Sequence, residues 1–306
     1  MMADVVSNDR RRVVAGEHAR PGSFITSTAG LEGVRRSIRS AIRETVSDAN
    51  ATGVVVPMSG GIDSTVTTVL AVEALGSDRV LGLGLPCHKA DGTGVSDART
   101  IADGLGIEFE LIQLRPLLES FEEIAASHLE PAASADDGSR DRPNERNYAI
   151  GNLVARLRMC CAYYAANRQS RLVLGTANRS ELLLGYFTKY GDGAADAYPI
   201  GDLYKTEVRA LAKRLGVPRR IVSKEPSAGF WADQTDASEL GASYDVIDPL
   251  LRRLVDEGTS IDEAADAVGI DRETARDVVA LSAATEHKRA VPPTPGITNR
   301  DDGSIE

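Results

Sequence analysis

The strongest constraint on this chain is a short apolar run, Gly53-Val-Val-Val-Pro57, followed directly by Ser59-Gly60-Gly61-Ile62-Asp63-Ser64 and a helical pattern over Ser64 to Leu75 that stops at Gly76. A run this short and this apolar reads as a strand buried on both faces. Strand, glycine turn and helix in direct succession leave the first backbone N–H groups of the helix unpaired at the sheet edge. Adjacent glycines let backbone approach a ligand closely, and a helix N-terminus favours negative charge. With the hydroxyls of Ser59 and Ser64, the segment predicts an anion cradle for phosphate. It lacks the lysine of a GxxxxGK[ST] loop. Asp63 makes chemical sense there if a magnesium ion bridges its carboxylate to phosphate. The plain alternative is a capped helix after a tight turn.

The alternation continues along the chain. Leu31, Val34, Ile38, Ile42 and Val46 mark one helix face before the first strand. Further strands are expected at Val80–Leu85, Ile107–Leu114 and Arg171–Gly175, with helices from Ser96 to Leu105, over 117–129, from Asn152 to Asn167 and over 178–185. The pattern predicts an α/β fold, a single domain with a parallel sheet covered by helices on both faces, plus C-terminal helices. Ligands of such sheets bind beyond the carboxyl ends of the strands, here just after Val56, Leu85 and Leu174. Residues 1–28 and 291–306 read as tails flanking a domain over 29–290, and 131–146 as a polar loop.

With a net charge of -10, non-specific nucleic-acid binding is disfavoured. No run has the apolar length of a membrane helix and the N-terminus has no signal-peptide stretch, so a cytoplasmic protein is expected. Cys87, Cys160 and Cys161 are too few and too badly spaced for a disulfide framework or a zinc site. Lysine is scarce: Lys89, Lys189, Lys205, Lys213, Lys224 and Lys288 stand among 35 basic residues, the rest arginine. Each is a candidate for a place where a compact ammonium is needed.

The hexapeptide SGGIDS resembles the signature of the pyrophosphate-loop enzymes, the N-type ATP pyrophosphatases, whose fold is adenine nucleotide alpha hydrolase-like and Rossmann-like. The resemblance implies cleavage of ATP to AMP and pyrophosphate. Residues 175–206, GTANRSELLLGYFTKYGDGAADAYPIGDLYKT, look like the NAD synthetase branch. KEPSAG at 224–229, ELGASYDVID at 239–248 and TEHKR at 285–289 follow in family order, so the resemblance runs from about residue 29 to 290. It implies an ammonia-dependent ligase that adenylates the nicotinate carboxylate of deamido-NAD. No glutaminase domain is expected before residue 29, which leaves a separate glutaminase subunit as the other source of ammonia.

Carried over residue by residue, the resemblance implies that Ser59, Gly60, Gly61, Ile62, Asp63 and Ser64 bind ATP phosphates, with Thr176, Lys205 and Ser227 also on ATP. Asp63 and Glu181 hold magnesium. Arg156, Lys189, Asp196, His287 and Lys288 bind deamido-NAD, and Phe187 stacks on the pyridine ring. No residue of Cys87–Gly94 is assigned an adenine contact. The family also implies a homodimer with deamido-NAD at the subunit boundary. Leu153, Val154, Leu157, Met159, Cys160, Cys161, Tyr163 and Tyr164 make the helix around Arg156 apolar over more than one stripe, which demands burial on two sides, within one subunit or against its copy.

Residues 260–278 have the spacing of a helix-turn-helix. Around them, over 259–284, six acidic residues face only Arg272 and Arg276, a balance that repels phosphates. A C-terminal helical hairpin is the expectation. A tRNA-modifying thiolase or a non-catalytic nucleotide-binding module are the competing functional readings. The first wants a basic surface and catalytic cysteines; the second has no use for both Asp63 and Glu181.

Overall fold

The computed structural model describes residues 23–87, 92–129, 143–227 and 235–295. The elements used below are, in chain order, α1 (Thr28–Asp48), β1 (Gly53–Pro57), α2 (Ile62–Leu75), β2 (Val80–Gly84), α3 (Gly92–Leu105), β3 (Glu108–Leu111), α4 (Pro143–Gln169), β4 (Arg171–Val173), α5 (Arg179–Leu184), α6 (Lys205–Arg214), α7 (Tyr244–Leu251), α8 (Ile261–Val268) and α9 (Arg272–Ala284). The four strands form one parallel sheet in the order β3-β2-β1-β4. Successive strands step outward from β1 to β3, and the chain then crosses back to lay β4 on the other side of β1. That reversal opens a crevice beyond the carboxyl ends of β1 and β4.

Alternate residues of β1 serve opposite faces, as strand geometry requires. Val54 and Val56 pack with α1, α2, α3 and α6 residues such as Ile42, Leu70, Ala102 and Leu211. Val55 faces the other way, with Leu81, Leu83, Val154, Met159 and Ala162. A third cluster joins Leu183 and Leu184 of α5 to Ile247, Leu250, Ala264, Ala275 and Val278 of the C-terminal helices. The expected face of α1 is the packed one: Leu31, Ile38, Ile42 and Val46 are buried and Val34 lies against them.

Several expected boundaries shift. The strand expected at Ile107–Leu114 shrinks to Glu108–Leu111, an edge strand with half-exposed side chains. α3 begins at Gly92, before Ser96. α4 begins at Pro143, so the end of the expected 131–146 loop is helical, and residues 130–142 lie outside the described residues. A polar composition hid that turn, because an exposed helix start needs no apolar stripe. Residues 23–27, expected in the tail, attach to the domain: Phe24 meets the Tyr204 ring edge-on at 5.6 Å, and Ile25 N–H donates to Glu207 Oε1 at 2.8 Å. Residues 1–22 and 296–306 lie outside the described residues.

The 260–278 segment forms α8 and α9 around Gly269, with Ser260 and Asp271 as N-caps. Arg272 and Arg276 are engaged by Asp262 and Asp266 of the same hairpin, 3.2 to 3.4 Å away. Ala264, Ala265, Ala275 and Val278 are buried in the third cluster, so the hairpin packs on its own domain.

Asp248 ties three elements together. Its Oδ1 accepts from Ser180 Oγ of α5 at 2.6 Å, and its Oδ2 accepts from the N–H and Oγ1 of Thr206 on α6, both at 2.7 Å. The residue is fully buried. Truncation leaves three donors unpaired, the buried Ser180 hydroxyl and the half-buried N–H and hydroxyl of Thr206. Asp248→Ala should lower the unfolding free energy by about 3 kcal/mol, read as a lower urea midpoint with an unchanged slope. A loss below about 1 kcal/mol refutes this role.

Candidate active site

β1 delivers the chain to Met58, and the turn that follows is built by steric necessity. Gly60 has a φ of +74°, and a Cβ there would lie 2.0 Å from the Gly94 carbonyl oxygen at the start of α3. Gly61 caps α2 without a side chain, so the first N–H groups of α2 stay unblocked. Ser59 Oγ and Ser64 Oγ face each other at 3.2 Å, and Ser59 Oγ accepts from Gly61 N–H at 3.2 Å. These hydroxyls and the helix N-terminus form one concave donor surface, as an anion requires.

β4 delivers the opposite wall. Gly175 leaves no room for a side chain, since a Cβ would sit 2.4 Å from the Tyr198 ring. Asn178 then caps α5: its Oδ1 accepts from Glu181 N–H at 3.1 Å, and its own N–H donates to Glu181 Oε2 at 3.2 Å. The same side chain reaches across the crevice, where Nδ2 donates to Asp63 Oδ1 at 3.0 Å. Lys205, the first residue of α6, closes the group with Nζ 2.5 Å from Asp63 Oδ2 and 3.1 Å from Glu181 Oε1. Residues 63, 181 and 205, distant in sequence, thus place two carboxylates on one cation.

The electrostatics follow from burial. Burial pushes the Glu181 carboxyl above the usual range, the Lys205 charge opposes this, and Asp63 adds to it. Burial alone would lower the Lys205 ammonium, but Asp63 and Glu181 outweigh it and its pKa rises. Lys205 is therefore a permanent cation at neutral pH. Magnesium commonly takes one or two carboxylates plus phosphate oxygens and water. A carboxylate pair already converging on a cation, beside a phosphate-sized cradle, fits that donor set. Among the described residues no group of three or more His, Cys, Asp or Glu side chains forms a protein-only metal cage.

A cavity of about 780 Å³ spans this ground. It is lined by Ser59, Gly61, Ile62, Asp63, Ser64, Thr176, Glu181, Phe187, Lys205, Ser227 and Lys288 among the expected site residues. Phe187 is held against Gly193, where a Cβ would lie 2.2 Å from its ring, and the Lys288 ammonium lies 5.8 Å from the ring centroid. Lys288 Nζ also donates to the carbonyls of Gly185 at 2.8 Å and Phe187 at 3.0 Å.

Five expected residues are not among its lining: Gly60, which the close approach of Gly94 turns away from it, and Arg156, Lys189, Asp196 and His287. Arg156 and His287 are exposed, and Lys189 is half-buried between them. Arg156 Nε donates to the Lys189 carbonyl at 3.3 Å, and Lys189 Nζ donates to the His287 carbonyl at 2.6 Å. They form one patch beside α4. Asp196 has structural partners, accepting from Val173 N–H of β4 at 2.7 Å and from Tyr163 OH of α4 at 3.0 Å.

Comparison with known proteins decides the affiliation. Residues 34–292 match the family model for NAD synthase. The NH(3)-dependent NAD(+) synthetase of Methanocaldococcus jannaschii is 44% identical over 267 residues, 87% of this chain and 98% of the relative. That of Halobacterium salinarum is 42% identical over 269 residues, 88% of this chain and 95% of the relative.

The chain belongs to the NAD synthase family.

Solved structures agree on the fold. NMN synthetase from Francisella tularensis superposes with a TM-score of 0.73 at 32% identity, covering 87% of this chain and 98% of that one. The NH3-dependent NAD synthetase from Campylobacter jejuni gives 0.68 at 27% identity, covering 86% and 98%.

Within the site, two features were not legible in the sequence. Asn178 is the first, although N-x-x-E before an apolar run is a readable capping signal; its reach to Asp63 was not readable. The second is a wall of the cavity made by Tyr186, Asp236, Glu239 and Tyr148. Tyr244 OH and Tyr186 OH donate to the two oxygens of buried Asp236 at 3.0 and 3.2 Å, and Tyr186 OH also pairs with Glu239. Burial, then these acidic neighbours, hold the Tyr186 phenol protonated.

Asn178 is a positioning residue for both carboxylates. Asn178→Ala should cost about 1 kcal/mol of stability through the lost cap. It should lower kcat roughly tenfold or more while the KM for ATP moves less, because misplaced carboxylates act mainly in the transition state. Steady-state pyrophosphate release measures this; a kcat within twofold of wild type removes the assignment.

Proposed function

We propose that the crevice between β1 and β4 binds ATP with its phosphates on Ser59 to Ser64, and that Asp63 and Glu181 hold the accompanying magnesium. The chain is a carbon–nitrogen ligase that forms NAD with ATP and ammonia, in keeping with its NAD synthase family model and its relatives named NH(3)-dependent NAD(+) synthetase. The observation that carries the site reading is the convergence of Asp63 and Glu181 on one cation at the mouth of the phosphate cradle.

In this reading the nicotinate carboxylate of deamido-NAD attacks the α-phosphorus of ATP. The new C–O–P bond forms as the bond to the β-phosphate bridging oxygen breaks, and pyrophosphate leaves. Ammonia then adds to the acyl carbon, loses a proton and expels AMP. When bound, magnesium supplies charge neutralisation for the phosphates. The donors at the start of α2 and the serine hydroxyls orient the phosphates, and Lys205 places positive charge where the pyrophosphate leaving group develops negative charge. Thr176 and Ser227 line the same cavity and supply hydroxyl donors toward ATP.

Phe187 and Lys288 on the cavity wall, with the Arg156, Lys189 and His287 patch outside it, support a dinucleotide that extends from the cavity across the surface. Asp196, held between the β4 backbone and the Tyr163 hydroxyl, belongs to the same proposed subsite. The exposed stripe of α4, with Arg156, Cys160 and Tyr164, supports a homodimer that closes over this half of the ligand. Such an enzyme works in the cytoplasm with ammonium, supplied free or by a separate glutaminase.

With ATP, deamido-NAD and ammonium together, the protein should release one AMP and one pyrophosphate per NAD formed. Omission of any one of the three, or Asp63→Ala, should abolish turnover, and glutamine should not replace ammonium for the isolated chain. Formation of ADP and phosphate sinks the mechanism. The same assay with nicotinate mononucleotide distinguishes the dinucleotide reading from the activity for which the Francisella tularensis protein is named. The 42–47% identity to NAD synthetases favours the dinucleotide.

Tyr164 is 71% exposed on the stripe assigned to the dimer. Tyr164→Glu should shift sedimentation toward monomer and raise the KM for deamido-NAD at least fivefold more than that for ATP, since a desolvated interfacial charge opposes association. A wild-type protein that sediments as a fully active monomer rules out the shared site.

A further inference from the structure

Lys205 occupies ground that the proposed metal needs. Its ammonium lies 2.5 Å from Asp63 Oδ2 and 3.1 Å from Glu181 Oε1, and its side chain is only 3% exposed. The Tyr244 ring centroid, 5.2 Å away, adds a further hold on the charge. The backbone of the lysine is fixed: its N–H donates to Ser180 Oγ at 3.0 Å, and Asp248 pins Thr206 beside it. The residue type is telling. In a chain with only six lysines among 35 basic residues, this buried position carries one. A compact ammonium fits between two carboxylates and can turn away from them, whereas a planar guanidinium would lock into a fork.

We propose that Lys205 is the resident counter-ion of the metal seat: in the ligand-free enzyme its ammonium holds Asp63 and Glu181 together, excludes free divalent cation, and yields the seat when the triphosphate of ATP arrives to take the ammonium over. This rests on the reading of Asp63 and Glu181 as magnesium ligands. A free divalent ion entering alone would have to shed water, detach the ammonium from both carboxylates and leave it buried beside a like charge. A nucleotide removes that obstacle, because its phosphates give the ammonium a new anionic partner within the same cavity. Asp63 and Glu181, freed of the ammonium, would then be available to hold a cation that arrives with ATP. Metal and nucleotide therefore bind with positive coupling, and linkage makes that coupling equal in both directions.

The test uses the full chain and Mn2+ as a magnesium analogue visible by electron paramagnetic resonance, with α,β-methylene-ATP as the uncleaved nucleotide. Wild-type protein should bind Mn2+ weakly alone and at least tenfold more tightly with the analogue. Lys205→Met should bind Mn2+ without nucleotide at least tenfold more tightly than wild type. Equal affinity of the two proteins for free Mn2+ overturns the proposal. Lys205→Gln is read the same way if the methionine variant does not fold. A wild-type measurement stands independently: the side-chain 15N resonance of Lys205 should shift on adding the analogue and stay in place on adding Mg2+ alone, and a shift with Mg2+ alone overturns the proposal. Asp63→Asn separates the two readings. If this variant with the analogue binds Mn2+ as wild type does, the metal assignment itself is wrong; if it loses Mn2+ while Lys205→Met shows no gain, only the counter-ion role fails.

Discussion

Two carboxylates sharing one buried ammonium is the constraint around which this fold is arranged. Burying Asp63 and Glu181 near each other is costly, and Lys205 offsets that cost only if its Nζ is held at hydrogen-bond distance from both. The surrounding hydrogen bonds serve that end. Asn178 fastens Asp63 to the cap of α5. Ser180 and Asp248 fasten the start of α6, from which Lys205 projects. Four segments far apart in sequence are thereby locked in register at the place where the strand order reverses.

The C-terminal helices complete this frame. α5 is short and ends at Gly185 in the left-handed region, leaving carbonyls to be satisfied. Thr285 Oγ1 donates to the Leu184 carbonyl at 2.8 Å, and Arg289 Nη1 to that of Leu183 at 3.0 Å. Cations at a helix C-terminus also meet the negative end of its dipole. The TEHKR segment thus stabilises the helix that carries Glu181, while Lys288 reaches the wall of the cavity.

The candidate site has two halves of different character. The half at the strand ends is enclosed and built from short, fixed side chains, which suits phosphate geometry. The half around Arg156, Lys189 and His287 is open, and its long side chains touch one another through backbone carbonyls. An open half next to an exposed helix stripe is what a site completed by a second copy would leave on each protomer.

Sequence alone determined the parallel α/β class and the glycine turn that joins β1 to α2, because each rests on local pattern. Apolar runs alternate with helical stripes, glycines stand where no Cβ can fit, and SGGIDS and GTANRSE are contiguous. The charge of 259–284 likewise argued against a nucleic-acid reading before any contact was known. What needed the tertiary structure were the distances across the crevice. Nothing in the spacing of residues 63, 178, 181 and 205 says that Asn178 spans to Asp63 or that Lys205 lies between the carboxylates. Those contacts depend on β4 pairing beside β1 and on α6 starting against Asp248, which are non-local choices made by packing. The start of α4 at Pro143 and the anchoring of Phe24 were hidden for the same reason. Polar or isolated residues carry no periodicity, and only the surface they pack on decides their place.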